Sequence, residues 1–234
     1  MMLRRTMALS GLTVVCLAAA GAPVLADSGF YVGATAGQSI FHQDRSEADA
    51  AIMDAFSASG FNVVNGSSSI DKTDFAFGGL VGYRFMPNVS VEAAYVDLGK
   101  LSYKFSGRVA AFTTILANAN LFAKAKGPTL ALLGSLPLSP AWEVYGRAGI
   151  FFSKVTLTAE TTLSVPSSNL TTSGRDSSSA NSVDPLVGVG VGWHVSKHMA
   201  LRAEYTRFAN VGDKDKTGET NIDLVDLGVT YSFP

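Results

Sequence analysis

G-V-G-V-G-W-H-V-S-K-H-M-A-L-R-A-E-Y-T-R-F, Gly188 to Phe208, decides the fold of this 234-residue chain. Together with Val187 just before it, the segment alternates with period two. Val187, Val189, Val191, Trp193 and Val195 alternate with Gly188, Gly190, Gly192, His194 and Ser196. After a tight turn at Ser196-Lys197-His198, Met199, Leu201, Ala203 and Tyr205 alternate with Ala200, Arg202, Glu204 and Thr206. Period two means strands with two unlike faces. A soluble sheet would set an apolar face on a core against a full-sized polar face. Here one face is apolar with an aromatic tip, and the other is glycine and charge. That pattern belongs to a transmembrane β-barrel, whose apolar face meets lipid and whose small or polar face meets the lumen.

Working outward, the chain supplies six more such strands. They are Phe30 to Phe41, Phe75 to Phe85, Val89 to Phe105, Thr129 to Leu138, Trp142 to about Thr158, and Leu224 to Phe233. The connections alternate long and short. Met86-Pro87-Asn88, Ser139-Pro140 and Ser196-Lys197-His198 are short; His42 to Thr73, Ser106 to Gly127, Ala159 to Ser182 and Ala209 to Thr220 are long. An even strand count with long loops at one end and short turns at the other predicts an all-β, eight-stranded antiparallel up-and-down transmembrane barrel, with its turns periplasmic and its loops outside. Trp142, Trp193, Phe85, Tyr231 and Phe233 all fall at the periplasmic end, as an interfacial aromatic girdle would. Closure also satisfies every backbone polar group in hydrocarbon.

Three long segments are read by composition. Residues 159–182 are Ser/Thr/Asn-rich and read as a loop. E-A-D-A-A-I-M-D-A-F, Glu47 to Phe56, reads as a short amphipathic helix with Ile52, Met53 and Phe56 on one side. Residues 106–127 are unusually apolar, a helix or a hairpin extension between which periodicity does not decide. Val109, Phe112, Ile115, Leu116, Leu121 and Phe122 would be an exposed patch in water. The expectation is that they cap the barrel against Ile52, Met53, Phe56 and Phe61; the alternative is a surface for a partner or for lipopolysaccharide acyl chains.

Residues 1–26 read as a cleaved signal peptide: Arg4-Arg5, an apolar run from Met7 to Ala20, and Pro23-Val24-Leu25-Ala26 before Asp27. That leaves 27–234 as one barrel domain. Cleavage would remove Cys16, the sole cysteine, and with it any disulfide or thiol chemistry, and would bring the net charge to −3. Nothing there suggests a nucleic-acid partner. No segment of 27–234 approaches the ~20 apolar residues of a spanning helix. The reading is an exported outer-membrane protein of a Gram-negative cell.

G-G-L-V-G-Y-R-F-M-P-N-V-S-V-E-A-A-Y-V-D-L-G, Gly78 to Gly99, resembles the N-terminal barrel of the outer membrane protein A (OmpA) family, in which a G-Y-x-F hairpin leads to an E-x-x-Y-x-D-L-G strand. Leu201 to Phe208 and Leu227 to Phe233 are similar to that family's last two strands. Asp226, Gly228, Tyr231 and Phe233 resemble the terminal signal read by the barrel-assembly machinery, with the departure that Pro234 follows the last aromatic. The resemblance covers essentially all of 27–234. It implies an outer-membrane protein in contact with lipid and lipopolysaccharide. The separate peptidoglycan-binding domain of full-length OmpA proteins has no counterpart after Phe233, so peptidoglycan binding is not carried over.

By parity Arg84, Glu92, Glu143, Arg147, Arg202, Glu204 and Asp226 point inward. Charges at membrane depth are costly unless they face the interior and pair. They read as a structural ion-pair network in a filled lumen, with Gly188, Gly190 and Gly192 making room for Tyr145, Arg147 and Phe151 on one side and Arg202 on the other. The alternative is a polar path for ions or small solutes, a narrow porin. His194-Val195-Ser196 resembles the His-x-Ser pair of a small barrel lipase acting on lipid A, but lies at a periplasmic turn without an acidic third member, so no enzyme is expected. His42, His194 and His198 fall at opposite ends, which disfavours a histidine-based metal site. G-V-G-V-G precedes no helix and is no dinucleotide fingerprint. No cofactor is expected. The function expected is structural, stiffening the outer membrane and displaying loops to an external ligand or host surface.

Overall fold

The computed structural model describes residues 29–58, 60, 62–110 and 115–234. The expected signal peptide lies outside them. The described residues form nine strands and one α-helix in chain order: β1 Gly29–Phe41, α1 Arg45–Ala58, β2 Asn62–Asp71, β3 Thr73–Met86, β4 Val89–Ala110, β5 Ile115–Pro137, β6 Trp142–Val165, β7 Leu170–His194, β8 Met199–Val211 and β9 Thr220–Ser232.

Eight strands make a closed ring, each antiparallel to the next, in the order β1-β3-β4-β5-β6-β7-β8-β9. β9 returns to β1 in register from Tyr31↔Ser232 to Phe41↔Ile222. No edge is left at membrane depth, as hydrocarbon requires. On the outer face Val81, Leu132, Val189 and Leu227 are each more than half exposed. In water such a belt would be an aggregation surface; in a bilayer it is solvated by lipid. Trp142 and Trp193 face each other in register and stack at 5.8 Å, and Tyr231 meets Phe233 edge-on at 5.4 Å. The short turns are pinned by side chains that mimic backbone acceptors. Ser196 Oγ accepts from the amides of His198 (3.3 Å) and Met199 (3.0 Å), and Ser139 Oγ from that of Trp142 (3.1 Å).

The ninth strand, β2, stands outside the ring. It runs into β3 through Lys72 and pairs with the upper half of β4, from Asp71↔Ser102 to Asn62↔Ala110. Beyond the lipid belt, β2, β4, β5, β6 and β7 therefore rise as an open wall at the long-loop end. One glycine makes this possible on β4. Gly99 adopts φ +73°, a left-handed conformation that L side chains rarely adopt, and the β4–β5 register slips between Asp97 and Lys100. This bulge flips the parity of the strand. Below it Glu92, Val96 and Leu98 point inward; above it Leu101, Tyr103 and Phe105 do. Asp97 Oδ1 accepts from the Gly99 amide (3.0 Å) and Asp74 Oδ2 from that of Lys100 (2.8 Å), which locks the irregular backbone.

In the apolar segment, residues 106–110 and 115–127 form a hairpin extension, paired up to Val109↔Ile115. The structure corrects the reading of 159–182. Those residues are strand, paired to Val165↔Leu170 around a 3₁₀ turn at Pro166–Ser168 with Asn169 at φ 52°. Water on both faces removes the alternation by which strands are recognised, and Ser and Thr mimic turn composition. The helix spans Arg45–Ala58, and the strand β2 that follows it was not foreseen. Capping takes a different form from that expected. Ile52, Phe56 and Leu121 pack against the buried cluster of Tyr103, Phe105 and Ala119, with the Phe56 and Phe105 rings 6.0 Å apart. Met53 and Leu116 stay exposed, and the Phe122 ring lies under Lys100 Nζ at 5.6 Å. Phe61 and Phe112 lie outside the described residues.

Candidate functional site

The lumen is the one interior the ring creates, and its lining changes character along the axis. Toward the short turns it is charged. Arg202 (β8) donates from Nη1 to Glu92 Oε1 (β4) at 2.5 Å and from Nε to Tyr145 Oη (β6) at 3.2 Å, and its guanidinium lies 4.4 Å from the Tyr145 ring centroid. Arg147 (β6) donates from Nη1 to Glu204 Oε1 (β8) at 2.7 Å and stands 3.9 Å from Glu92 Oε2. Tyr145 Oη donates to Glu204 Oε2 (2.8 Å), Thr206 Oγ1 to Glu204 Oε1 (2.6 Å), and Tyr31 Oη to Glu92 Oε1 (2.9 Å). Four strands that are not all neighbours are thereby tied across the lumen by hydrogen-bonded charge pairs, the strong kind.

A second, smaller group lies nearer the mouth. Arg84 Nη2 (β3) is 3.6 Å from Glu143 Oε1 (β6), and His194 Nε2 (β7) is 3.5 Å from the same oxygen. These three residues line a cavity of about 30 Å³, space for about one water molecule.

Of the seven inward charges read from the sequence, the structure joins Glu92, Arg147, Arg202 and Glu204 in the central cluster and Arg84 with Glu143 in the outer one. The Asp226 side chain is buried in β9 but joins neither cluster by a hydrogen bond or ion pair among the described residues. Sequence reading missed Tyr31 and Thr206 as members, although parity with Gly33 and Glu204 marks both as inward. The room for these large side chains comes from glycines directly across the register. Tyr145 faces Gly190, where an added Cβ would lie 2.3 Å from the ring; Tyr31 faces Gly82, where it would lie 2.2 Å away. Size alternates between neighbouring strands so that the lumen can be occupied from one wall at a time.

Toward the long hairpins the lining turns apolar. Leu98, Phe151, Leu186, Phe208, Leu224 and Ile222 form one close-packed cluster in which none is more than 5 % exposed, and the Phe151 and Phe208 rings meet edge-on at 5.0 Å. Above it α1 is fastened to the wall by Tyr103 Oη, which donates to Asp49 Oδ1. Burial, and then this contact with Asp49, push the Tyr103 phenol up to about 12. The Ser68 hydroxyl first, and then that of Tyr103, hold the Asp49 carboxyl below its usual value. Among the described residues no group of three His, Cys, Asp or Glu is placed to hold a metal ion.

Tyr231 and Phe233, the aromatics of the terminal pattern, are half exposed on the outer face, while Asp226 lines the lumen and Gly228 sits opposite Thr35 of β1. The Phe233 amide donates to the Phe30 carbonyl at 2.9 Å, so this segment is the seam at which the barrel closes.

Comparison with known proteins matches residues 25–234 to the OmpA-like transmembrane domain. Outer membrane protein A of Serratia marcescens is 27% identical over 209 residues, covering 88% of this chain and 50% of the relative. That of Yersinia pseudotuberculosis is 28% identical over 173 residues, covering 74% and 44%. The chain thus spans about half the length of the curated relatives it matches. Among solved structures it is similar to Neisserial surface protein A, with a TM-score of 0.42, 15% identity, and 88% and 98% of the two chains covered. With the closed ring, the lipid-facing belt and a family match over nine-tenths of its length, the chain belongs to the OmpA-like transmembrane domain family of outer-membrane β-barrels.

Proposed function

We propose that this protein is a structural and surface-presenting barrel whose lumen is filled. The observation that carries the reading is the pair of stacked layers inside the ring. A conducting barrel of this class has a polar interior along its length. Here the cross-linked charges give way to close-packed Leu98, Phe151, Leu186 and Phe208, each at most 2% exposed. An eight-stranded ring is just wide enough for side chains to fill. The charged layer supports the alternative, a narrow low-conductance channel for ions or small solutes, and the small cavity at Arg84, Glu143 and His194 would be its periplasmic vestibule. Reconstitution into planar bilayers separates the two. Filled-lumen behaviour is a silent membrane; reproducible discrete current steps from the folded protein would establish the channel instead.

Glu143 Oε1 stands 3.5 Å from His194 Nε2, an acidic neighbour the sequence reading did not find, but Ser196 Oγ accepts the turn's amides from His198 and Met199, which accords with a non-enzymatic role. Asp226, Gly228, Tyr231 and Phe233 serve as the signal for the barrel-assembly machinery, and replacing Tyr231 and Phe233 with Ala is expected to leave precursor in the periplasm. The outer aromatic and aliphatic belt contacts outer-membrane lipid and lipopolysaccharide. The tall hairpins carry whatever the protein presents to an external ligand or host surface.

A further inference from the structure

The wall and helix beyond the lipid belt enclose a space that neither membrane anchoring nor a sealed lumen requires. It is a cavity of about 280 Å³ between α1, the wall and the 212–219 connection. Its sides are Ile70, Leu101, Tyr103, Leu121, Val155 and Leu157. Its floor, at Phe41 and Ile222, is also the top of the apolar cluster in the lumen, so it leads nowhere. From these features we infer that the extracellular mouth is a blind binding pocket for a small uncharged apolar molecule.

Size and charge define the occupant. An apolar cavity of ~150 Å³ stays dry and takes up benzene, so one nearly twice as large suits a compact hydrocarbon or fused aromatic of about ten to twelve non-hydrogen atoms. The charges around it are already partnered. Lys124 Nζ pairs with Asp97 at 3.0 Å, Glu219 with Lys214 at 3.9 Å, and the Tyr103 hydroxyl is given to Asp49. A charged guest would lose its hydration and gain no counter-ion. The neutral hydroxyls at the rim, Thr217 and Thr220, suit at most one neutral polar group. Burial of apolar surface in a preformed hollow supplies the affinity. This inference goes beyond the filled-barrel reading and shares with it only the sealed floor.

The test is methyl NMR on the full mature protein in lipid nanodiscs, titrated with naphthalene. Saturable shifts are expected at Ile70, Leu101, Leu121, Val155 and Leu157. They should be weakened at least tenfold in Ala123→Phe, which puts a ring into the hollow from β5, while Leu98 and Leu186 in the lumen keep their wild-type positions. Naphthalenesulfonate, the same body with a charge, should not shift them. Shifts that never saturate, or that appear equally in Ala123→Phe or only at the lipid-facing Leu132 and Leu227, would mean partition into the bilayer and overturn the pocket. Equal binding of the sulfonate would overturn the assignment of an uncharged guest. A conducting lumen would show itself separately, in the bilayer recordings, and leave these methyl shifts unaffected.

Discussion

β6 and β7 each pass through two environments, and their lower and upper halves compare directly. From Trp142 to Phe152 and from Val183 to His194 they alternate strictly, one face in lipid and the other in a crowded lumen. From Thr162 to Val165 and from Leu170 to Ser173 the same two strands stay paired residue for residue, yet neither face is buried. Backbone pairing is equal in the two halves; side-chain constraint is not. Pairing alone therefore does not dictate sequence. A face becomes legible only where its surroundings would penalise the wrong residue.

The comparison can be broken first at its most constrained point. Arg202→Ala should strand Glu92, which has no solvent exposure, and lower the stability of the lipid-embedded protein by about 3–5 kcal/mol. An unchanged urea midpoint in lipid vesicles would show that the lumen layer is not dry. Next comes the lipid face. Val189→Arg should cost about 2–4 kcal/mol and reduce assembly, whereas Ser177→Arg, on the same strand above the belt, should stay within about 0.5 kcal/mol of wild type. Equal effects would erase the distinction between the halves.

Glycine sharpens the contrast on a smaller scale. At Gly190 a Cβ would lie 2.3 Å from the Tyr145 ring; at Gly174 nothing lies within 4 Å. Gly190→Ala should destabilise by about 1–3 kcal/mol through overpacking, while Gly174→Ala should be neutral or slightly stabilising, both read from heat-modified mobility on gels and from urea midpoints.

The smallest effect concerns how α1 is held. The Asp49 carboxyl is lowered in the fold, so its contribution is complete above the ordinary value of ~3.9 and is lost only as pH falls through the lowered one. The Tyr103 phenol is raised to about 12, so its contribution is complete below the ordinary value of ~10 and lost as pH rises through about 12. Protection of the Ile52 and Phe56 amides should then stay flat between about pH 5 and 9 once the intrinsic exchange rate is factored out. Asp49→Asn should lower it without altering the barrel's gel mobility.

How much the sequence reveals follows the same division. Eight ring strands, three short turns and seven inward charges are readable because lipid on one side and a narrow lumen on the other filter every second residue. The upper hairpin is not, since Thr162, Ser164, Thr171 and Ser173 on one face and Thr161 and Thr172 on the other all suit water. β2 escapes for the same reason: N-V-V-N-G-S-S-S-I-D has no lipid belt to reveal it. The parity flip at Gly99 escapes because D-L-G reads as part of a regular strand until the partner's register shows one residue too many. Within the lumen, residue types announce which groups are inward but not who meets whom. Arg202 and Glu92 come from positions 110 residues apart, and only closure of the ring sets them at 2.5 Å.

The account rests on where β7 enters the membrane, and a cysteine scan along its outward face tests that most directly. Single cysteines at Thr171, Ser173, Ser177, Ser179, Val183, Val187, Val189 and Val191 would be placed in the chain with Cys16, its one native cysteine, replaced. They would then be probed in intact cells with a membrane-impermeant maleimide. Labelling should be strong through Ser179, fall at Val183 and be absent at Val187, Val189 and Val191. Labelling that continues undiminished through Val191 would place that valine face in water, and the transmembrane barrel would be contradicted.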